Sequence, residues 1–141
     1  MANTVLRPKR RTELTPDVIV TSLFGFRDRA HKFHLNTMVI GAGSYAQHKA
    51  LDTLYKGIQD LQDDILEQMM GYLNGPINDA GSIDLPNYQG TSEAIALCDE
   101  IMSFSTQLIE YASANNMPNI ENLAQELSGL GAHAKYFLMF K

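Results

Sequence analysis

Apolar residues recur along most of this chain at the three-and-four spacing of helices, and no stretch shows the alternation of a convincing strand. Ile19, Leu23, Phe26, Ala30 and Phe33 form the first stripe, with His34 on its edge. Thr15-Pro16-Asp17 just ahead reads as an N-cap, a proline at the first helical position and an acid in the first turn, which predicts a helix to about Asn36. Gly41-Ala42-Gly43 breaks the pattern. Ser44 with Gln47 three residues on has the form of a capping box and opens a longer helix ending near Gly75-Pro76, with Ala50, Leu54, Ile58, Leu61, Ile65 and Met69 inward.

A third helix is expected from Thr91 or Ser92, burying Ile95, Cys98, Ile101, Met102, Ser105, Leu108, Ile109 and Ala112. Asn115 to Pro118 punctuate the chain before a fourth through Leu123, Leu127, Leu130, Ala134 and Phe137. Gly129 and Gly131 each weaken that helix by about 1 kcal/mol against alanine. The polar stretch from Ile77 to Gly90, carrying Gly81 and Pro86, reads as a crossover. Two helical hairpins joined by a crossover make an all-α four-helix bundle, expected over residues 15–141 behind a basic tail of residues 1–14.

The 141 residues suit one domain, and 45% hydrophobic with 19% charged residues is a globular composition. No apolar run approaches the ~20 residues of a membrane span. Met1 to Arg11 is polar and basic, so no secretory leader is expected, and the lone Cys98 suits a reducing, cytoplasmic setting. Net charge is −5 but uneven. Arg7, Lys9, Arg10 and Arg11 sit in a segment without acids, while the rest of the chain holds seven basic against sixteen acidic residues. An acidic body repels nucleic acid, so any DNA contact is expected through those four tail residues.

The candidate chemistry lies on the second helix. With His48 at 0° on a helical wheel, Asp52 falls at about 40°, Asp63 at about 60° and Glu67 at about 100°, well away from the apolar stripe. One face therefore carries an imidazole and three carboxylates. Along the axis, however, His48 and Asp63 stand ~22 Å apart, so one chain cannot gather all four on one ion. Two copies packed antiparallel about a two-fold axis near residues 57 and 58 can, with His48 and Asp52 of one meeting Asp63 and Glu67 of the other. His34 can add a further imidazole to each site. This ligand mix suits Fe(II), and by type alone also Zn(II) or Mn(II). No helix carries the Glu-x-x-His of an intrachain di-iron centre, Asp28-x-x-His31 being the nearest match.

From Ala30 to Gly75 the chain resembles the Dps-type mini-ferritins. Their first helix ends in His-Trp-Asn, followed by a second His, an Asp four residues later, and an Asp and Glu one turn apart. Here the corresponding residues are His34-Leu35-Asn36, His48, Asp52, Asp63 and Glu67. The resemblance implies a ferritin-like fold and a ferroxidase centre shared across a two-fold interface, with His34, His48 and Asp52 from one subunit and Asp63 and Glu67 from its partner. It also implies iron as cargo, oxidation of Fe(II) by peroxide, storage in a hollow homo-oligomer of up to a dodecamer, and protection against oxidative stress. Zinc can occupy such a site as purified. The basic tail is similar to the arms with which some members hold DNA. Leu35 stands where the motif has tryptophan, and the interval from His34 to His48 is two residues longer than usual. The alternative is a non-catalytic ferritin-like scaffold in which the ligand residues are vestigial, since polar residues on an outer helix face are ordinarily just solvated. His31 is expected to face solvent, His133 to pack against the last helix's stripe, and Cys98 to be inert in the core.

Overall fold

A computed structural model describes residues 14–39, 44–78 and 81–140. Four helices account for the architecture: α1 (Pro16–Asn36), α2 (Ser44–Leu73), α3 (Thr91–Ala114) and α4 (Pro118–Leu138), with a 3-10 turn at Thr37–Val39 after α1. The described residues contain no strand. The chain is an all-α four-helix bundle, as its periodicity implies.

Local chemistry sets the helix ends. Thr15 is extended and its hydroxyl oxygen accepts from the Val18 N–H at 3.3 Å, with Pro16 in the first turn, so two of the rules read from sequence operate together. α2 stops where Asn74 takes a left-handed conformation at φ 57°, returning the Gly75 N–H to the Met70 carbonyl. Asn116, also at φ 57°, turns the chain between α3 and α4, and the Met117 N–H closes onto the Ala112 carbonyl at 2.8 Å. Pro118 then opens α4. Gln47 departs from the expected capping box. Its side-chain oxygen accepts from the Tyr88 hydroxyl, because the crossover brings that group to it.

The core is continuous across all four helices. Ile19 and Leu23 from α1, Leu51, Leu54, Ile58 and Ile65 from α2, Ile101 and Leu108 from α3, and Ile120 and Leu127 from α4 are fully buried. Each such side chain contributes roughly 1.5–3 kcal/mol of apolar transfer. α4 remains helical through Gly129 and Gly131, and there the glycine serves packing: a Cβ at Gly131 would lie 3.3 Å from the Cys98 carbonyl oxygen of α3. Gly57 plays the same part between α2 and α4, facing the Leu130 side chain.

The crossover decides the topology. Ile83 lies beside Gly25 in the middle of α1, the Leu85 carbonyl accepts from Lys32 Nζ at 2.6 Å, and Tyr88 packs on Phe33 with its N–H directed at Asn36 Oδ1. The segment thus climbs along α1 and delivers α3 to the end of the bundle where α2 began. α3 consequently runs antiparallel to α1, with Phe26 against Phe104 and Arg29 paired with Glu100. α4 runs antiparallel to both α3 and α2, with Lys135 on Asp99 and Leu130 at Gly57. No helix interrupts the described parts of the crossover. Among the described residues no helix is long and apolar enough to cross a membrane.

Candidate metal centre

The end of α1 and the beginning of α2 meet at two histidines. His34 occupies the last turn of α1, where helical carbonyls lack the N–H partner that continued helix would supply. Its carbonyl accepts from the Thr37 hydroxyl at 2.7 Å and from His48 Nδ1 at 3.1 Å. In return His34 Nδ1 donates to the His48 carbonyl, also at 3.1 Å. Because a carbonyl oxygen can only accept, His34 carries a proton on Nδ1 and in its neutral form keeps a bare lone pair on Nε2; His48 has the same form when the Thr37 hydroxyl, 3.1 Å from His48 Nδ1, gives its proton to the His34 carbonyl. Backbone orientation of the second ring nitrogen is the arrangement that prepares an imidazole for a metal ion. The rings stack at 3.9 Å between centroids, and His34 is buried.

Asp52, one turn after His48, places Oδ1 3.8 Å from His34 Nε2. Its carboxylate is also held by Lys56, whose Nζ lies 3.0 Å from Oδ1 and 3.1 Å from Oδ2. That hydrogen bond, together with the charge on Lys56, keeps the Asp52 carboxyl below the ordinary carboxylate value in spite of some desolvation. Tyr55 closes the cluster. Its ring stacks on His31 at 4.2 Å and lies 5.2 Å from His34. His31 is therefore half-buried against an aromatic face instead of free in solvent.

His34 lies against both His48 and Asp52, while Asp63 and Glu67 stand exposed farther along α2, ~17 Å or more from Asp52 at 1.5 Å per residue. Among the described residues no group of three His, Cys, Asp or Glu side chains is arranged to hold a metal ion. Two imidazoles and one carboxylate near one another are donor types that suit a borderline divalent cation, and any such ion would need further ligands.

Other expected positions divide similarly. Leu35 is 59% exposed, and the aromatic ring beside His34 is that of Tyr55 from α2. Asn36 serves as an acceptor for the crossover. Cys98 is buried in the core, and burial, with Asp99 adding to it, pushes its thiol up to about 12. His133 is exposed, touching Phe137 at 4.9 Å. Arg7, Lys9, Arg10 and Arg11 lie outside the described residues. Sequence reasoning missed Thr37, Tyr55 and Lys56. Each had a signal: Thr37 follows His34 by three, Tyr55 follows His48 by seven on the same face, and Lys56 is four residues beyond Asp52.

These features define a crossover four-helix bundle with a paired-histidine rim at one end. The chain belongs to a family of unknown function (DUF5856), which matches residues 34–138, from the first of the two histidines to the end of α4. Neither the curated proteins nor the solved structures yield a significant match.

Proposed function

We propose that this protein is a ferritin-like, Dps-type bundle that takes Fe(II) as substrate and oxidises it with peroxide at sites completed by a second copy. The observation that carries the reading is the reciprocal contact of His34 and His48, each ring's Nδ1 on the other's backbone carbonyl, with His34 Nε2 3.8 Å from Asp52 Oδ1. The crossover connection, which is that of ferritin-like folds, supports it. In this reading Asp63 and Glu67 of the partner subunit face His48 and Asp52 across an antiparallel pair of α2 helices. The imidazoles suit the incoming Fe(II), and the carboxylates offset its charge and favour the harder Fe(III) that electron loss produces. Two Fe(II) ions each lose one electron, the O–O bond of one peroxide breaks, and two protons complete two waters. Lys56 must release Asp52 for the cation to enter. Its side chain is 61% exposed, and an ion pair so placed costs little to open.

A second reading, a non-catalytic scaffold, draws on the same face. Lys49 and Lys56 occupy the first half of α2 and the exposed Asp60, Asp63, Asp64 and Glu67 the second, so two antiparallel copies are electrostatically complementary without any metal. Anaerobic Fe(II) mixed with stoichiometric peroxide separates the two. Oxidation faster than the protein-free rate, falling to that rate in the Asp63→Ala, Glu67→Ala double variant, is the expected result. Wild type at the protein-free rate refutes the ferroxidase, and a dimer retained by sedimentation then leaves the scaffold.

A further inference from the structure

A hollow of about 520 Å³ opens on the α4 side of α2, between the first half of α2 and the last half of α4. Its floor is apolar. Ala50 and Leu54 of α2 face Leu130 and Ala134 of α4, and alanine at 46, 50 and 134 leaves unfilled the space that the leucines at 54 and 130 take up elsewhere along the contact. Phe137 and Phe140 form the far wall, 46% and 59% exposed, so large aromatic faces remain in water.

Polar groups are confined to the rim. Tyr45, Lys49 and Thr53 follow one another at four-residue steps along the outer edge of α2, with His133 across from them. Lys49 is the one charged side chain of the lining, and no carboxylate of the described residues lines it. Its ammonium rests 5.8 Å over the Tyr45 ring and forms no ion pair among the described residues. The nearest acid on its own helix, Asp52, is hydrogen-bonded by Lys56 and feels the Lys49 charge only through space, and Asp60 and those beyond lie ~17 Å or more down the axis.

We propose that this hollow binds a small molecule with an apolar body and a single carboxylate, a medium-chain fatty acid being the type. The body covers Leu54, Leu130 and Phe137, and the carboxylate pairs with Lys49 at the rim. Volume, aromatic lining and one placed charge together match the composition of small-molecule sites, and a cation with no ion pair among the described residues selects the anion. The inference does not depend on iron, but it requires Lys49 to stay uncovered and so competes with an antiparallel α2 pair that sets Lys49 against a second copy's acids.

The chain has no tryptophan, so Tyr45→Trp places a unique reporter on the rim while keeping an aromatic face for Lys49. Decanoate below its micelle concentration is expected to shift the emission saturably at one molecule per chain. Decanol, of the same length without the charge, is expected to bind about tenfold more weakly. Adding Lys49→Met is expected to weaken decanoate about tenfold and leave decanol unchanged, with far-UV circular dichroism confirming the fold. Absence of saturation, equal affinity for decanol, or indifference to Lys49→Met overturns the proposal. So does an emission shift that follows protein concentration alone with dimers in sedimentation, which assigns the aromatic face to a second copy.

Discussion

Gly129 and Gly131 stand two residues apart in α4, alike in what glycine costs a helix and opposite in their surroundings. A methyl group at 129 meets nothing within 4 Å. At 131 it meets Ile101 Cγ2 at 3.2 Å, and the Cys98 carbonyl oxygen and Met102 Cγ at 3.3 Å each. Gly129→Ala therefore recovers the whole propensity difference, about 1 kcal/mol. Gly131→Ala recovers the same amount but overpacks the α3 contact, and the carbonyl cannot swing aside as a side chain does. Overpacking costs roughly 1–3 kcal/mol, so the net expectation is a loss of about 1 kcal/mol and a gap of about 2 kcal/mol between two variants that add the same methyl to the same helix. Urea unfolding followed by far-UV circular dichroism measures both, and each kcal/mol moves Tm by roughly 3 °C for a chain of this size. If Gly131→Ala stabilises as much as Gly129→Ala, within the ~0.5 kcal/mol over which independent effects add, the close approach of α3 and α4 is wrong.

The contact of His34 Nδ1 with the His48 carbonyl predicts the Nδ1–H tautomer for neutral His34, and nitrogen-resolved NMR showing Nε2–H on that ring refutes it. Thr37→Val removes a buried hydroxyl that donates to the His34 carbonyl and lies 3.1 Å from His48 Nδ1, so a loss of about 1 kcal/mol is expected in urea unfolding, and no loss would mean these contacts do not hold the turn. The Asp52 carboxyl sits below its ordinary value because of Lys56, so the pair contributes stability above the unfolded carboxylate's pKa and loses it as pH falls through the folded value. Lys56→Met should raise the Asp52 titration seen by carbon-detected NMR, and an unmoved titration would discard the pairing. Cys98 should resist thiol reagents at neutral pH until the protein is unfolded, since burial disfavours its thiolate, and rapid labelling of the native protein would contradict its place in the core.

Much of the bundle was legible because helix signals are local. Thr15 with Pro16, and Pro118 opening α4, act within one turn, and the stripes through Leu23, Ile58, Ile101 and Leu127 follow from a 3.6-residue period that any single helix expresses. The alignment of His48, Asp52, Asp63 and Glu67 on one side of α2 was open to the same arithmetic, as was the distance that keeps the last two away from the first two. Tertiary structure decided what depends on residues remote in sequence. The direction of α3 rests on a crossover whose glycines and proline permit either return path, and Lys32, Asn36 and Gln47 lay it along α1 by binding its backbone and Tyr88. Gln47 shows the competition directly, since a local rule offered it a cap and a hydroxyl forty-one residues away took it. The pairing of His34 and His48 was likewise invisible in the chain, because each ring is oriented by the other's backbone carbonyl, a contact that exists only once α1 has stopped and α2 has turned back against it.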